Sequence, residues 1–350
     1  MMRGRSGIRT SFLLGLVLLT GTCLSACNGS AHSTTGSLQQ VASAPLPPSS
    51  DQALVVQFLG AGGVYLRQGD QALLGDPFFS NPPLSHWFFG RPLQVKADVI
   101  DAHLPPMNGV QGILVGHGHF DHALDIPYIA GKLPDSVRVY GSETIPNLFA
   151  ATLPAARLVD LTSSMVTAGE GGQWVYLSPR LRILPIQSQH SPHVGDVVFA
   201  SEHITHPLSR APAAMFDWQA GTNLTFVIDF LDAAQQVKYR VFYQSSASPD
   251  TVGFPPDWLL ADNIPVDLAL LCAANYNHVD GYPEGILKAL QPRQVMLIHW
   301  ERFWDDYSTE TATPLPGMDF ADLEARIRSV LEPSVPVWLP MRGGSIQLEH

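Results

Sequence analysis

The chain has 350 residues, 45% hydrophobic and only 15% charged, enough to bury a sizeable core in one or two domains and too apolar for wholesale disorder. Its formal net charge is −11, and the only charges in the first 26 positions are the basic Arg3, Arg5 and Arg9, so the remainder is more acidic still and a poor general binder of nucleic acid. Three cysteines, Cys23, Cys27 and Cys272, exclude a disulfide framework and a four-cysteine zinc site, so any metal must be held by histidine and carboxylate.

The three arginines precede an apolar run, Phe12 to Leu19, far shorter than the ~20 residues of a membrane-spanning helix, and residues 1–26 read as a secretory signal. Residues 27–51 are mostly Ser, Thr, Ala, Gln and Pro, which predicts a flexible tether before a folded body over 52–350. That body opens with strands at Leu54 to Leu59, Val64 to Arg67 and Ala72 to Leu74. Gly60-Ala61-Gly62-Gly63 suits a tight connection between the first two, and Gly75-Asp76-Pro77 ends the third. Ile113 to Val115 is a further strand. A helix starts at Ser142, and strands follow at Leu181 to Ile186, Thr225 to Phe230, Val237 to Tyr243, Val266 to Cys272 and Val295 to Ile298. Helices are expected at Glu284 to Leu290 and at Phe320 to Leu331, the latter with Leu323, Ile327 and Leu331 on one face. Strands with interspersed helices in both halves predict one mixed α/β domain, with its chemistry at strand ends.

The densest chemical signal is His117-Gly118-His119-Phe120-Asp121-His122, directly after the Ile113 to Val115 strand. Three imidazoles and a carboxylate on a turn after a buried strand point in alternating directions. His117 with His119, and Asp121 with His122, can therefore serve two adjacent metals, and zinc suits so nitrogen-rich a set.

The motif resembles the His-x-His-x-Asp-His signature of the metallo-β-lactamase superfamily of two-metal hydrolases. Gly60-Ala61-Gly62-Gly63 and Asp76-Pro77 look like the opening hairpin of the branch that includes ascorbate-lactone hydrolases and N-acyl phosphatidylethanolamine phospholipases. The resemblance spans about Leu54 to Trp300 and implies an αβ/βα sandwich with the metals at one edge. It also implies further ligands: His190, with His193 as its rival, joins His117 and His119, while His299 joins Asp121 and His122. Most relatives carry an Asp that bridges both metals after the strand equivalent to Val237 to Tyr243. Here Ser246 aligns with that position, and Asp250 reaches it only if the loop bulges.

A two-zinc site of this kind implies a shared water acidified to a hydroxide nucleophile, with Asp121 ligating the second metal and orienting that hydroxide. Asp76 is a candidate outer partner of a ligand imidazole, or a strand-end turn residue. His278 is a candidate proton donor to the leaving group, or a plain loop histidine. Two apolar stretches, Asn81 to Phe89 and Val194 to Gln219, are expected to form a hydrophobic lid, to rest against a membrane or simply to cover the sandwich edge. The leading expectation is zinc-dependent hydrolysis of an ester-like bond, a phosphodiester or phospholipid headgroup ahead of a lactone. A β-lactam hydrolase and a non-catalytic metal- or partner-binding lipoprotein are the alternatives. Leu24-Ser25-Ala26-Cys27 resembles the lipobox of bacterial lipoprotein precursors, which implies export, acylation of Cys27 and membrane anchoring, with Asn28 favouring an outer membrane where the host has one.

Overall fold

A computed structural model describes residues 37–250 and 252–349. The expected signal segment, Cys27 and the first part of the tether lie outside the described residues.

The described chain forms the strands β1 (Gln39–Val41), β2 (Ala53–Gly60), β3 (Gly63–Gln68), β4 (Gln71–Gly75), β5 (Val110–Leu114), β6 (Arg138–Gly141) and β7 (Leu158–Asp160). The later strands are β8 (Val166–Thr167), β9 (Glu170–Gly171), β10 (Val175–Ser178), β11 (Leu181–Ser188), β12 (Asn223–Leu231), β13 (Val237–Gln244), β14 (Leu268–Cys272), β15 (Val295–Ile298), β16 (Val337–Pro340) and β17 (Ser345–Glu349). They build two sheets. One has the order β17-β2-β3-β4-β5-β6-β7; the other runs β1-β16-β15-β14-β13-β12-β11-β8-β9, with β10 also paired to β11. Each sheet thus takes its edge strand from the opposite end of the described chain. β17 lies antiparallel to β2, and β1 lies parallel to β16.

Side-chain alternation explains why the strands read as nearly continuous apolar runs: both faces are covered. Leu54, Val56 and Phe58 of β2 meet Val241 and Tyr243 of β13 and Leu268 and Leu270 of β14 between the sheets. The alternate residues Phe242, Ala269 and Leu271 face outward onto the helices Glu284–Leu290 and Phe320–Arg328, through Ile286, Leu287, Leu323 and Ile327. On the other side, helices Ala97–His103, Ile126–Ala130 and Thr144–Phe149 bury Ile100, Ile129 and Leu148 against Ile113 and Val139. The result is a four-layer helix-sheet-sheet-helix sandwich.

The expected tether is corrected over its described part. Ser37 donates its N–H to the Glu324 carboxylate at 3.0 Å, and Leu38 is buried in the core. Gln39 to Val41 pair with Trp338 to Pro340, and Leu46 packs on the outer face of the first sheet. Composition averages concealed three well-spaced apolar anchors, Leu38, Val41 and Leu46, and the open edge of β16 supplies the backbone partners.

One buried ion pair locks the Gly60–Gly63 connection in place. Glu301, just past β15, accepts the Ala61 N–H at 2.8 Å and the Arg342 Nε–H at 3.2 Å, and all three residues are buried. Removing one partner of such a pair leaves an uncompensated buried charge. Arg342→Met should therefore lower stability by about 3 kcal/mol, read as a fall in denaturant midpoint, whereas Arg326→Met, at a half-exposed pair with Asp322, should change it little.

Candidate metal centre

β11, β13, β14 and β15 all run in one direction, and so do β4, β5 and β6. Their C-terminal ends meet at one edge of the sandwich. His117 to His122 follow β5, His190 follows β11, Ser245 and Ser246 follow β13, Cys272 ends β14 and His299 follows β15. The fold thus gathers residues spread over more than half of the chain, at the strand ends where open α/β sheets hold their ligands.

Two groups form there. His117, His119 and His190 present ligand atoms within 4.8 Å of one another, and Asp121, His122 and His299 do the same. In the first group His119 Nδ1 lies 3.2 Å from His190 Nε2. In the second, Asp121 Oδ2 lies 3.2 Å from His299 Nε2 and 3.6 Å from His122 Nε2. The groups adjoin, since the His117 and His122 rings are 4.0 Å apart. Both nitrogens of His117, and Nδ1 of His299, are buried without a hydrogen-bond partner. Such orphans are costly in a folded interior unless something else satisfies them, and a metal ion at the first group would satisfy one nitrogen of His117.

The electrostatics suit that role. Burial and the neighbouring imidazoles His122, His190 and His119 hold His117 well below the usual histidine range, and burial with His119 and His193 does the same to His190. Burial lowers His119 to about 4. The first group is therefore three neutral imidazoles, the form that binds metal. In the second group burial works against both charged forms. It is outweighed at Asp121 by His122 and His299, which push the carboxyl down, and at His122 by Asp121 and Asp76, which push the imidazole up.

Asp76 is fully buried. Its Oδ2 receives His122 Nδ1 at 2.9 Å and the Tyr243 hydroxyl at 2.8 Å, and its Oδ1 accepts the Gly116 N–H at 2.7 Å. With Nδ1–H donated to Asp76, His122 keeps Nε2 free for a metal. Tyr243 is the residue that sequence reasoning missed. Its hydroxyl also lies 2.9 Å from the Gly62 carbonyl, tying the glycine connection to the same carboxylate. Its only sequence signal was an inward-facing position on β13 that could equally be filled by phenylalanine. Gly62 itself is required by close approach, because a Cβ there would stand 2.7 Å from the His122 ring.

His193 lines the cavity beside the first group, its ring stacked on His190 at 4.6 Å and its Nδ1 accepting the Phe199 N–H at 3.1 Å. Ser246 lines the cavity beside the two groups, with its Oγ accepting the Ser191 N–H at 3.2 Å. Asp250 does not approach: its side chain packs against Gly281 and Gly285. His278 is corrected as well. It is exposed at the end of the short turn Tyr276–His278 and does not line the cavity. Asn275 enters this turn in the left-handed region, so that Tyr276 turns inward to Asp322 and His278 outward. Asn275, rather than His278, borders the cavity.

Two stacked mixed sheets with helices outside and a histidine-rich site at one edge form the αβ/βα sandwich that the sequence resemblance implies. An isothiocyanate hydrolase from Delia radicum gut bacteria superposes with a TM-score of 0.50 at 14% identity, over 85% of this chain and 100% of that one. The metallo-β-lactamase fold protein YhfI of Bacillus subtilis gives a TM-score of 0.48 at 15% identity over 85% of this chain and 100% of its own. In sequence, 76 residues are 34% identical to a UPF0173 metal-dependent hydrolase of Roseobacter denitrificans, a stretch amounting to 22% of this chain. The chain spans just over a quarter, 28%, of that relative's length. No protein-family profile matches the chain.

Two outcomes test the centre's electrostatics and support. Metal-free protein should lose stability as pH falls from about 6.5 to about 4. Over that range the unfolded chain takes up protons that the buried imidazoles refuse, at a cost of roughly 3 kcal/mol from His119 alone. Thermal melts against pH check this; saturating zinc should raise stability at each pH but leave the slope in place, because metal-bound imidazoles refuse protons as well. Tyr243→Phe should leave the fold intact but weaken metal binding at the second group about tenfold, since it removes one donor to the carboxylate that orients His122; a zinc titration with a competing chelator reads it.

Proposed function

We propose that the chain is a zinc-dependent hydrolase that cleaves an ester-like bond, a phosphodiester or phospholipid headgroup ahead of a lactone. The observation that carries this reading is the pair of adjoining groups, His117-His119-His190 and Asp121-His122-His299, beside a cavity that five of these six residues line.

Two zinc ions held there supply Lewis acidity, which makes water a nucleophile near neutral pH and polarises the bond under attack. The chain's own residues do the rest. Three neutral imidazoles leave the first group uncharged, while Asp121 brings a negative charge between His122 and His299 and would accept a hydrogen bond from an attacking water. Asp76 holds the His122 ring in one tautomer. Ser246 supplies no carboxylate, so the centre carries one positive charge more than a carboxylate-bridged one, which favours substrates that develop negative charge.

We place this activity at the cell envelope. The support is Arg3, Arg5 and Arg9, the short apolar run and Leu24-Ser25-Ala26-Cys27, with acylation of Cys27 as the anchor.

Protein purified under zinc-replete conditions should carry close to two zinc ions. His117→Ala and His119→Ala should each lower turnover at least a hundredfold on whichever substrate of a phosphodiester, lactone and β-lactam panel is best. Elemental analysis showing no transition metal contradicts the reading, and a preference for β-lactams replaces the proposed substrate class.

A further inference from the structure

We infer that the cavity beside the two metal-binding groups is an apolar subsite for an alkyl chain attached next to the scissile bond, and that a long chain leaves it across an exposed apolar rim. The inference rests on the hydrolase reading and specifies which substrates that site takes.

The cavity divides by chemistry. Its floor is the histidines and Asp121, whereas its walls are built by Trp87, Phe199, Met215, Phe303, Trp304 and Leu315. Among the described residues no lysine or arginine lines it, and Asp121 is its one carboxylate. Of its polar wall groups, Ser246 Oγ accepts the Ser191 N–H and Asn275 Nδ2 donates to the Pro192 carbonyl at 3.1 Å, while Ser245 Oγ and Trp87 Nε1 are buried without a partner among the described residues; none of the four carries a charge. Beyond the reacting centre, affinity must therefore come from apolar area rather than from recognition of charge. The wall is preformed. Trp87 stacks on Phe303 at 5.5 Å and meets Phe120 and Trp304 edge-on at 5.4 and 5.1 Å, so a ligand need not order it.

The volume, about 270 Å³, falls just short of sites for drug-sized ligands and leaves no room for a long chain. The rim continues it. Helix Leu84–Phe89 turns Trp87 into the cavity but leaves Phe88 48% and Phe89 73% exposed. On the adjoining segment Met215 lines the cavity while Phe216 is 51% exposed. The two segments are joined by the Leu93 N–H donating to the Ala213 carbonyl at 2.7 Å. Phe216 meets the cavity-lining Phe199 edge-on at 6.3 Å and Phe89 carries the Arg91 guanidinium at 5.7 Å, yet all three phenylalanines keep about half or more of their surface in solvent beside cavity-lining Trp87 and Met215. A chain emerging between them would cover all three.

An alkyl chain reaches this subsite either from a bilayer or as a dispersed amphiphile, and the test separates the two. Full-length protein, with zinc and after chelation, is titrated calorimetrically with 1-alkanols from butanol to decanol. Affinity should rise roughly fourfold per methylene and should not depend on zinc, so this result stands even if the hydrolase reading fails. Trp87→Ala should flatten the short end of the series. Phe88→Ser with Phe89→Ser, both at exposed positions, should flatten only the long end. Sedimentation with neutral phosphatidylcholine vesicles gives the source: binding reduced by the Phe88 and Phe89 substitutions assigns a bilayer lipid, and vesicle binding unchanged by them assigns a dispersed amphiphile. Affinity independent of chain length, or a series unaffected by any of these substitutions, overturns the inference.

Discussion

The structure depends on one buried carboxylate. Asp76 ends β4 in the left-handed region, is wholly removed from solvent, and gathers donors from three other segments: Gly116 at the end of β5, His122 in the metal motif and Tyr243 on β13. A buried anion without partners would be intolerable, whereas one with three donors holds together the elements that supply them. Both sheets are tied at this point, because β4 and β5 belong to one and β13 to the other. The same carboxylate fixes the tautomer of His122. A single interaction therefore serves packing between the sheets and the orientation of a metal-binding ring.

Around that anchor the chain accepts backbone conformations that ordinary residues avoid. Ala61, Asp76, Asn275 and His299 all have positive φ, and all lie at the strand-end edge. Each is stabilised by neighbours that over-determine it: Ala61 by Glu301, Asp76 by its donors, Asn275 by the Pro192 carbonyl, His299 by Asp121. Local strain of this kind collects at functional sites because side chains from successive strands must converge on one point. The charge pattern follows the same economy of space. Neutral imidazoles fill one group, a carboxylate anchors the other, and the aromatic wall of Trp87, Phe303 and Trp304 bounds both from solvent.

Much of this was legible in the sequence, for identifiable reasons. Strands flanked by glycine and punctuated by Asp76-Pro77 were recognisable because both of their faces are buried, which makes the runs long and apolar. Glu284–Leu290 and Val295–Ile298 fell where expected. The six residues of the two groups were nameable because four of them sit in one hexapeptide and the others each follow an apolar strand. Other features resisted reading because they depend on distant partners. Gln39 to Val41 form a strand only against β16, and Tyr243 differs from a core phenylalanine only through Asp76 and Gly62. The choice of Asn275 over His278 turns on a positive φ that no composition reveals. The apolar stretches Asn81 to Phe89 and Val194 to Gln219 announced themselves by hydropathy, but only the structure shows that they adjoin and flank one cavity.

The central claim is that the two adjoining groups hold two metal ions, and anomalous diffraction at the zinc absorption edge from crystals grown with zinc tests it most directly. The account predicts two anomalous peaks, one within bonding distance of His117, His119 and His190, the other within bonding distance of Asp121, His122 and His299, with Asp76 against His122 but bonded to neither. A single peak, no peak, or a second ion held by Asp250 or His193 would contradict it.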